Sequence, residues 1–251
     1  SYMVDIMSPV LMDGHLYFAF TDWRTSEPAY SLFDINLADG SVRTQALERQ
    51  LNDLTVYKDG TLLGYAPSRM DRDTGKRLPS CLVAVHPADG TLTPVQELSD
   101  DLRLDRMVYD PAADTLYYSS PSILWAMPAL SQPQQVAYTT QGYASGLAVL
   151  GKGYAAVWDS DGLEIRNLDP AYLPTKTLTI VNTSRDAAAQ QFTRENPDVP
   201  LIYPQDFYSL ETLGTAMISG ETAIDLVALD VDGGFDAMLE KGYCADLSSS
   251  Q

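Results

Sequence analysis

Five Asp-Gly pairs punctuate the first two thirds of this 251-residue chain, at Asp13-Gly14, Asp39-Gly40, Asp59-Gly60, Asp89-Gly90 and Asp161-Gly162. They stand between apolar runs that suit strands, such as Leu16 to Phe20 and Tyr30 to Ile35. Asp-Gly in that setting signals a tight hairpin, because a type I′ turn needs positive φ at both central residues. The pairs also keep a period: Asp13 and Asp59 lie 46 positions apart, and Asp39 and Asp89 lie 50 apart. No helical periodicity of useful length interrupts them, so this region must bury its apolar residues as antiparallel sheet.

The period divides residues 1–172 into units. The first runs from about Met7 to Leu47 and the second from about Leu51 to Leu98. The third spans about Leu104 to Thr139, and a fourth starts near Gly142 and fades after Asp169. Pro111 to Asp114 and Ser131 to Pro133 replace the Asp-Gly turns in the third unit, and Gly151-Lys-Gly153 supplies the first turn of the fourth. Four strands in 40–50 residues is the grammar of a propeller blade, which buries its faces only against neighbouring blades. The region therefore resembles a β-propeller of about four four-stranded blades. The Gly-His and Trp-Asp signatures of WD40 repeats and the kelch motif are missing, so the resemblance is architectural. A β-sandwich of hairpins is the rival. Four units imply either a small ring or further blades upstream of Ser1, and in the second case Tyr2 to Ile6 would supply the outer strand of another blade. All three tryptophans, Trp23, Trp125 and Trp158, fall in this region, where packing between blades is the expected role and a place at the channel mouth the alternative.

From Thr177 the pattern changes. Thr177 to Val181 is a β-branched run, Ser184 suits an N-cap, and Ala188 and Phe192 share a helical face before Asn196-Pro197. Val199 to Tyr203 forms a second strand. Ser209 caps a helix with Leu210, Leu213, Ala216 and Met217 on one stripe, and Gly220 ends it. Ile224 to Leu229 is a third strand, and Phe235, Met238 and Leu239 mark a third helix before Gly242. This βαβαβα order implies a parallel sheet with right-handed crossovers. The expected organisation is thus multidomain, an all-β propeller-like module over 1–174 followed by a small α/β module over 175–251.

The second region resembles the opening of extracellular solute-binding proteins of ABC importers, of the sugar-binding group that includes maltose-binding protein. Three stretches carry the likeness: Gln191 to Asp198; Leu213 to Val227, with its Ser-Gly turn and Asp225-led strand; and Gly242-Tyr-Cys-Ala-Asp-Leu247. The resemblance implies capture of a carbohydrate or other small polar solute, an ABC permease as partner, and attachment to the cell surface through a lipid anchor upstream of Ser1. Ligands of open α/β sheets sit beyond the carboxyl ends of the strands. That rule selects Asn182, Thr183 and Ser184, then Asp206, Phe207 and Tyr208, and finally Asp230 as candidate ligand-binding residues. The chain ends before a second lobe, so closure of two lobes on a ligand is not encoded in these residues.

Other classes are disfavoured. The formal charge is −18, with 12 basic and 22 acidic residues up to Tyr172 and 4 and 12 after it. That balance opposes nucleic-acid binding, which rests on Lys and Arg. No run of 18 apolar residues exists to span a membrane. Ser1 in place of Met and the lack of a leader suggest a processed product. Cys81 and Cys244 read as two free thiols, with a single bridge between them the alternative, and His15 and His86 are too few and too far apart for a histidine metal site. Asp159-Ser-Asp161-Gly and Asp230 to Asp236 lack the further ligands of a calcium loop. No nucleophile elbow, Walker A or dinucleotide motif occurs. The expectation is a binding protein, neither an enzyme nor a carrier of a cofactor. A cell-surface propeller that binds a protein or polymer is the alternative, and a propeller lyase or glycosidase a weaker third.

Overall fold

The computed structural model describes residues 4–6, 9–24, 28–71, 75–99, 102–139, 144–160, 162–182, 187–196, 198–203, 209–219, 224–228, 240 and 242. The chain divides into two compact units, Ser1–Leu173 and Pro174–Gln251.

The first unit is a β-propeller-like set of four antiparallel sheets, each built from consecutive strands. Sheet one holds β1 (Val4–Ile6), β2 (Val10–Met12), β3 (His15–Asp22), β4 (Ala29–Asn36) and β5 (Val42–Leu47). Sheet two holds β6 (Asp53–Tyr57), β7 (Thr61–Ala66), then β10 (Cys81–Val85) and β11 (Leu92–Glu97), with a small hairpin of β8 (Arg69–Met70) and β9 (Arg77–Leu78) between them. Sheet three is β12 (Arg106–Asp110), β13 (Thr115–Ser120), β14 (Ile123–Pro128) and β15 (Gln134–Tyr138). Sheet four has three strands, β16 (Gly146–Gly151), β17 (Tyr154–Trp158) and β18 (Leu163–Asn167). The first strands of successive sheets pack on one another, β2 on β6, β6 on β12 and β12 on β16, so they form the inner wall.

Two sequence expectations are corrected here. Val4–Ile6 is not the outer strand of another blade. It pairs with Phe20 to Asp22 on the same edge of β3 that Val10–Met12 uses further along, so β1 and β2 together make the inner strand of sheet one. The eight-residue length of β3 makes room for both. The Asp-Gly turns are also of two kinds. Asp13-Gly14 and Asp59-Gly60 have positive φ at both residues, as type I′ requires. At Asp39-Gly40 and Asp89-Gly90 only the glycine is left-handed. There the loops are longer, closed by Gly40 N to Asn36 O and Gly90 N to His86 O, and each Asp side chain accepts from the backbone N–H two residues on. In the third sheet the second turn begins earlier than Ser131, with left-handed Ala129 and Leu130.

The core lies between the sheets. Alternation in each strand sends one side-chain set to the preceding sheet and the other to the next. Leu54, Leu62, Cys81, Val83 and Val85 of sheet two meet Tyr17, Ala19 and Leu32 of sheet one. Leu63, Tyr65 and Leu82 meet Met107, Leu116, Tyr118 and Met127 of sheet three. Leu124, Ala126, Val136 and Ala137 meet Ala155 and Val157 of sheet four. Leu32, Leu63, Leu82, Leu116 and Leu124 are fully buried, each stabilising by about 1.5–3 kcal/mol relative to exposure. Trp125 packs against the cluster between sheets two and three, as expected, and within its own sheet it stacks on Tyr118 and donates its indole N–H to Ser120. Cys81 is buried and unpaired, and burial pushes its thiol pKa up; Cys244 lies outside the described residues.

The second unit contains β19 (Leu178–Val181), α1 (Ala187–Glu195), β20 (Leu201–Ile202), α2 (Leu210–Ser219) and β21 (Leu226–Val227). β19 is central and parallel to both neighbours. The strands are shorter than the sequence runs suggest. Ser209 caps α2 as expected, accepting from Thr212 N at 3.2 Å. The expected third helix and the Ser184 cap lie outside the described residues.

Candidate functional site

The inner strands of all four sheets surround one cavity of about 640 Å³. Its wall is made by β2, β6, β12 and β16, with Trp158 reaching in from β17. A strand edge that faces a channel leaves every second N–H without a ladder partner. On β12 two of these donors are taken by side chains of the neighbouring sheet: Met107 N donates to Asp53 Oδ2 at 2.7 Å, and Tyr109 N donates to Thr55 Oγ1 at 3.3 Å. Asp53 and Thr55 alternate along β6, so they meet alternate amides of β12. Asp53 is 1% exposed, and it therefore acts as a structural acceptor in the wall.

Arg106, the first residue of β12, is the cation of the lining. Its Nε donates to Ser145 O at 3.0 Å and its Nη1 to Asp105 O at 2.7 Å. These two carbonyls fix the plane of the guanidinium and leave its other donors for a ligand. The next residue after Ser145 is Gly146, and the Trp158 ring lies flat on it. A Cβ at Gly146 would fall 1.9 Å from that ring, so only glycine fits beneath the indole. A fixed guanidinium and an aromatic platform thus stand side by side on the wall, with the apolar residues Leu11, Leu54 and Leu147 around them.

Asp105 sits behind this cluster. Burial pushes its carboxyl up to about 6, against the lowering effect of Arg103 and Arg106. Its Oδ2 is buried without a hydrogen-bond partner. The folded pKa lies above the ordinary value near 4, so the group favours the fold below about pH 4 and the advantage is lost as pH rises through about 6. Asp105→Asn is expected to raise stability at pH 7.5 by on the order of 1–2 kcal/mol and to leave it unchanged at pH 4. Urea unfolding of both proteins at the two pH values checks this; equal stability at pH 7.5 rejects it.

Of the residues selected from sequence, the structure places Asn182, half-buried and left-handed at φ 59 just beyond the carboxyl end of β19. Thr183, Ser184, Asp206, Phe207, Tyr208 and Asp230 lie outside the described residues. Arg106 and Ser145 were not selected, and the cavity position of Trp158 was the alternative to its expected packing between blades. A signal existed for Arg106: it is a charged residue opening the first strand of a repeat, which a propeller directs to the channel. Among the described residues no cluster of His, Cys, Asp or Glu has the makings of a metal site. No helix among them is long and apolar enough to cross a membrane.

No known protein family matches the sequence, and no curated protein does. Solved structures are similar to it in fold. A protein of unknown function from Bacteroides caccae is 11% identical with a TM-score of 0.46, over 65% of this chain and 64% of that one. Regucalcin, a calcium-binding protein from Agrobacterium tumefaciens, is 16% identical with a TM-score of 0.42, over 68% of this chain and 56% of that one. The β-propeller domain of the trilobed protease from Pyrococcus furiosus is 9% identical with a TM-score of 0.35, over 65% and 57%. The chain spans less than two thirds of each of these structures. Likeness at this level transfers no activity, and the propeller description rests on the sheets themselves.

Proposed function

We propose that this chain is a solute-binding protein without catalysis, and that the cavity of its propeller-like unit takes a small polar solute, with carbohydrate the first class to test. The observation that carries the reading is the pairing of Arg106 and Trp158 on the inner wall. An indole face suits the C–H face of a sugar ring, and a held guanidinium offers donors to hydroxyl or carboxylate oxygens. The cavity is of a size usual for small-molecule sites, which run to roughly 300–1,000 Å³.

A role in an ABC importer, with a permease as partner and a place on the cell surface, belongs to the same reading. Its support is the resemblance over Thr177 to Ser248 and the parallel β20-β19-β21 sheet with helices in the connections. In that scheme Asn182, Asp206 and Asp230 would supply a second contact surface for solute.

A thermal-shift panel of sugars, amino acids and short peptides on the intact protein tests the reading. A true ligand at 100 times its Kd stabilises by about 2.7 kcal/mol, or about 5–10 °C for a unit of this size. Arg106→Ala and Trp158→Ala are each expected to remove the shift. A ligand whose shift survives both variants and is lost in Asp230→Ala would move the site to the second unit. A panel with no response overturns the proposal.

A further inference from the structure

Arg106 is the only basic residue among those that line the cavity. Both partners of its guanidinium are neutral, the backbone carbonyls of Ser145 and Asp105. The charge is thus oriented without being cancelled. The acid in the lining, Asp53, is 1% exposed and already accepts the Met107 amide. A half-buried cation held in this way loses hydration when a guest covers it. A solute hydroxyl returns an ordinary hydrogen bond. A carboxylate returns charge-assisted bonds of about twice the strength, on a planar pair of oxygens that matches the guanidinium fork. One guanidinium also suits a single negative charge. A phosphate dianion would meet one cation in a protein of formal charge −18. Trp158 adds a second requirement. One face of its ring lies on Gly146, and 37% of the residue stays exposed. With Leu11 and Leu147 near it, this is a platform for the face of a ring.

Resting on the cavity as the solute site, we propose that its solute is a ring-bearing monocarboxylate, a sugar acid or a compound of like chemistry. Its carboxylate pairs with Arg106, its ring lies on Trp158, and ionisation of Asp105 weakens the hold. Asp105 faces Tyr65 of β7, Arg103 and Arg106 of its own segment, and the backbone amide of Ala144 ahead of β16. Its backbone carbonyl fixes the Arg106 guanidinium, while its carboxyl acts on that charge from further off. Burial holds the carboxyl up to about 6, against the pull of Arg103, Arg106 and the Ala144 amide. Below that pH Asp105 is neutral and a bound carboxylate meets Arg106 alone. Above it a second negative charge stands behind the guanidinium and repels the bound one. Capture of the anion is therefore linked to uptake of a proton at Asp105.

Isothermal titration of the intact protein with matched acid and neutral solutes tests this. The pairs are D-galacturonate against D-galactose and benzoate against benzyl alcohol, at pH 7.5 and pH 5 and one ionic strength. At least one acid is expected to bind roughly thirtyfold more tightly than its neutral partner. That acid is expected to bind about three- to tenfold more tightly at pH 5 than at pH 7.5. Arg106→Gln is expected to abolish the difference between acid and neutral solute, and Trp158→Ala to weaken both members alike. Asp105→Asn is expected to hold the pH 5 affinity at both pH values. The comparison on the wild type decides the class even if a variant fails to fold. Neutral solutes that bind as well as the acids overturn the proposal and leave the cavity site standing. Acid binding that survives Arg106→Gln overturns it, as does displacement of the acid by a lower concentration of inorganic phosphate. Acid binding of equal strength at the two pH values overturns the part given to Asp105. A protein that binds neither pair while it answers another neutral solute also overturns the class, and one that answers no solute takes the cavity site with it.

Discussion

Asp53→Ala is expected to lower the unfolding free energy of the propeller-like unit by about 3 kcal/mol, one of the two largest single-site effects the structure implies. The carboxylate accepts the Met107 amide across the boundary between sheets two and three while 1% exposed. Truncation leaves that amide buried against an empty space and removes a hydrogen bond to a charged group, each worth about 1.5–3 kcal/mol. The two losses overlap, which sets the figure near the low end of their sum. Denaturant unfolding followed by tryptophan fluorescence gives the value. A loss below about 1 kcal/mol would mean that water reaches the Met107 amide and that the side chain is not a structural acceptor.

Gly90→Ala is expected to cost a similar amount, about 3 kcal/mol, for a different reason. Gly90 has φ 78, where an alanine costs about 1–2 kcal/mol. Its Cβ would also stand 2.4 Å from the backbone oxygen of Ala46, in the last strand of the sheet before. A backbone atom in a paired strand gives little, so the loop of sheet two must lift from β5. Gly40 occupies the equivalent loop of sheet one with φ 73 and nothing near its missing Cβ. Gly40→Ala therefore carries the conformational cost alone and serves as the control, in the same unfolding experiment. Equal losses for the two variants would show that the contact with Ala46 is not felt.

Much of the propeller-like unit was legible because its signal is local and repeated. Asp13-Gly14 and Asp59-Gly60 form the turns their dipeptides announce, and the strands on either side pair across them. Val4 to Ile6 was misplaced because a short strand says nothing of which edge it joins. Only the length of β3 provides two places on one edge. The cavity was less legible. Arg106 comes from β12, Ser145 from the bend before β16 and Trp158 from β17, and their proximity is a property of the packed sheets; Trp158 was read first as packing between blades. Gly146 gave no warning either, since its role is to lie beneath an indole twelve residues on. In the second unit the alternation of strand and helix was readable from capping and apolar runs, as at Ser209.

The side chains that Asp53 and Thr55 place on the edge of β12 also restrict what the channel can accept. An extended peptide binds a sheet edge by adding a strand, and for this it needs the alternate free amides of that edge. At Met107 and Tyr109 those amides are already spoken for. A guest entering along β12 finds a wall whose main-chain donors are closed, and it must be recognised through side chains. At these two positions β12 is therefore closed to strand addition by the backbone itself, independently of the other groups that line the wall.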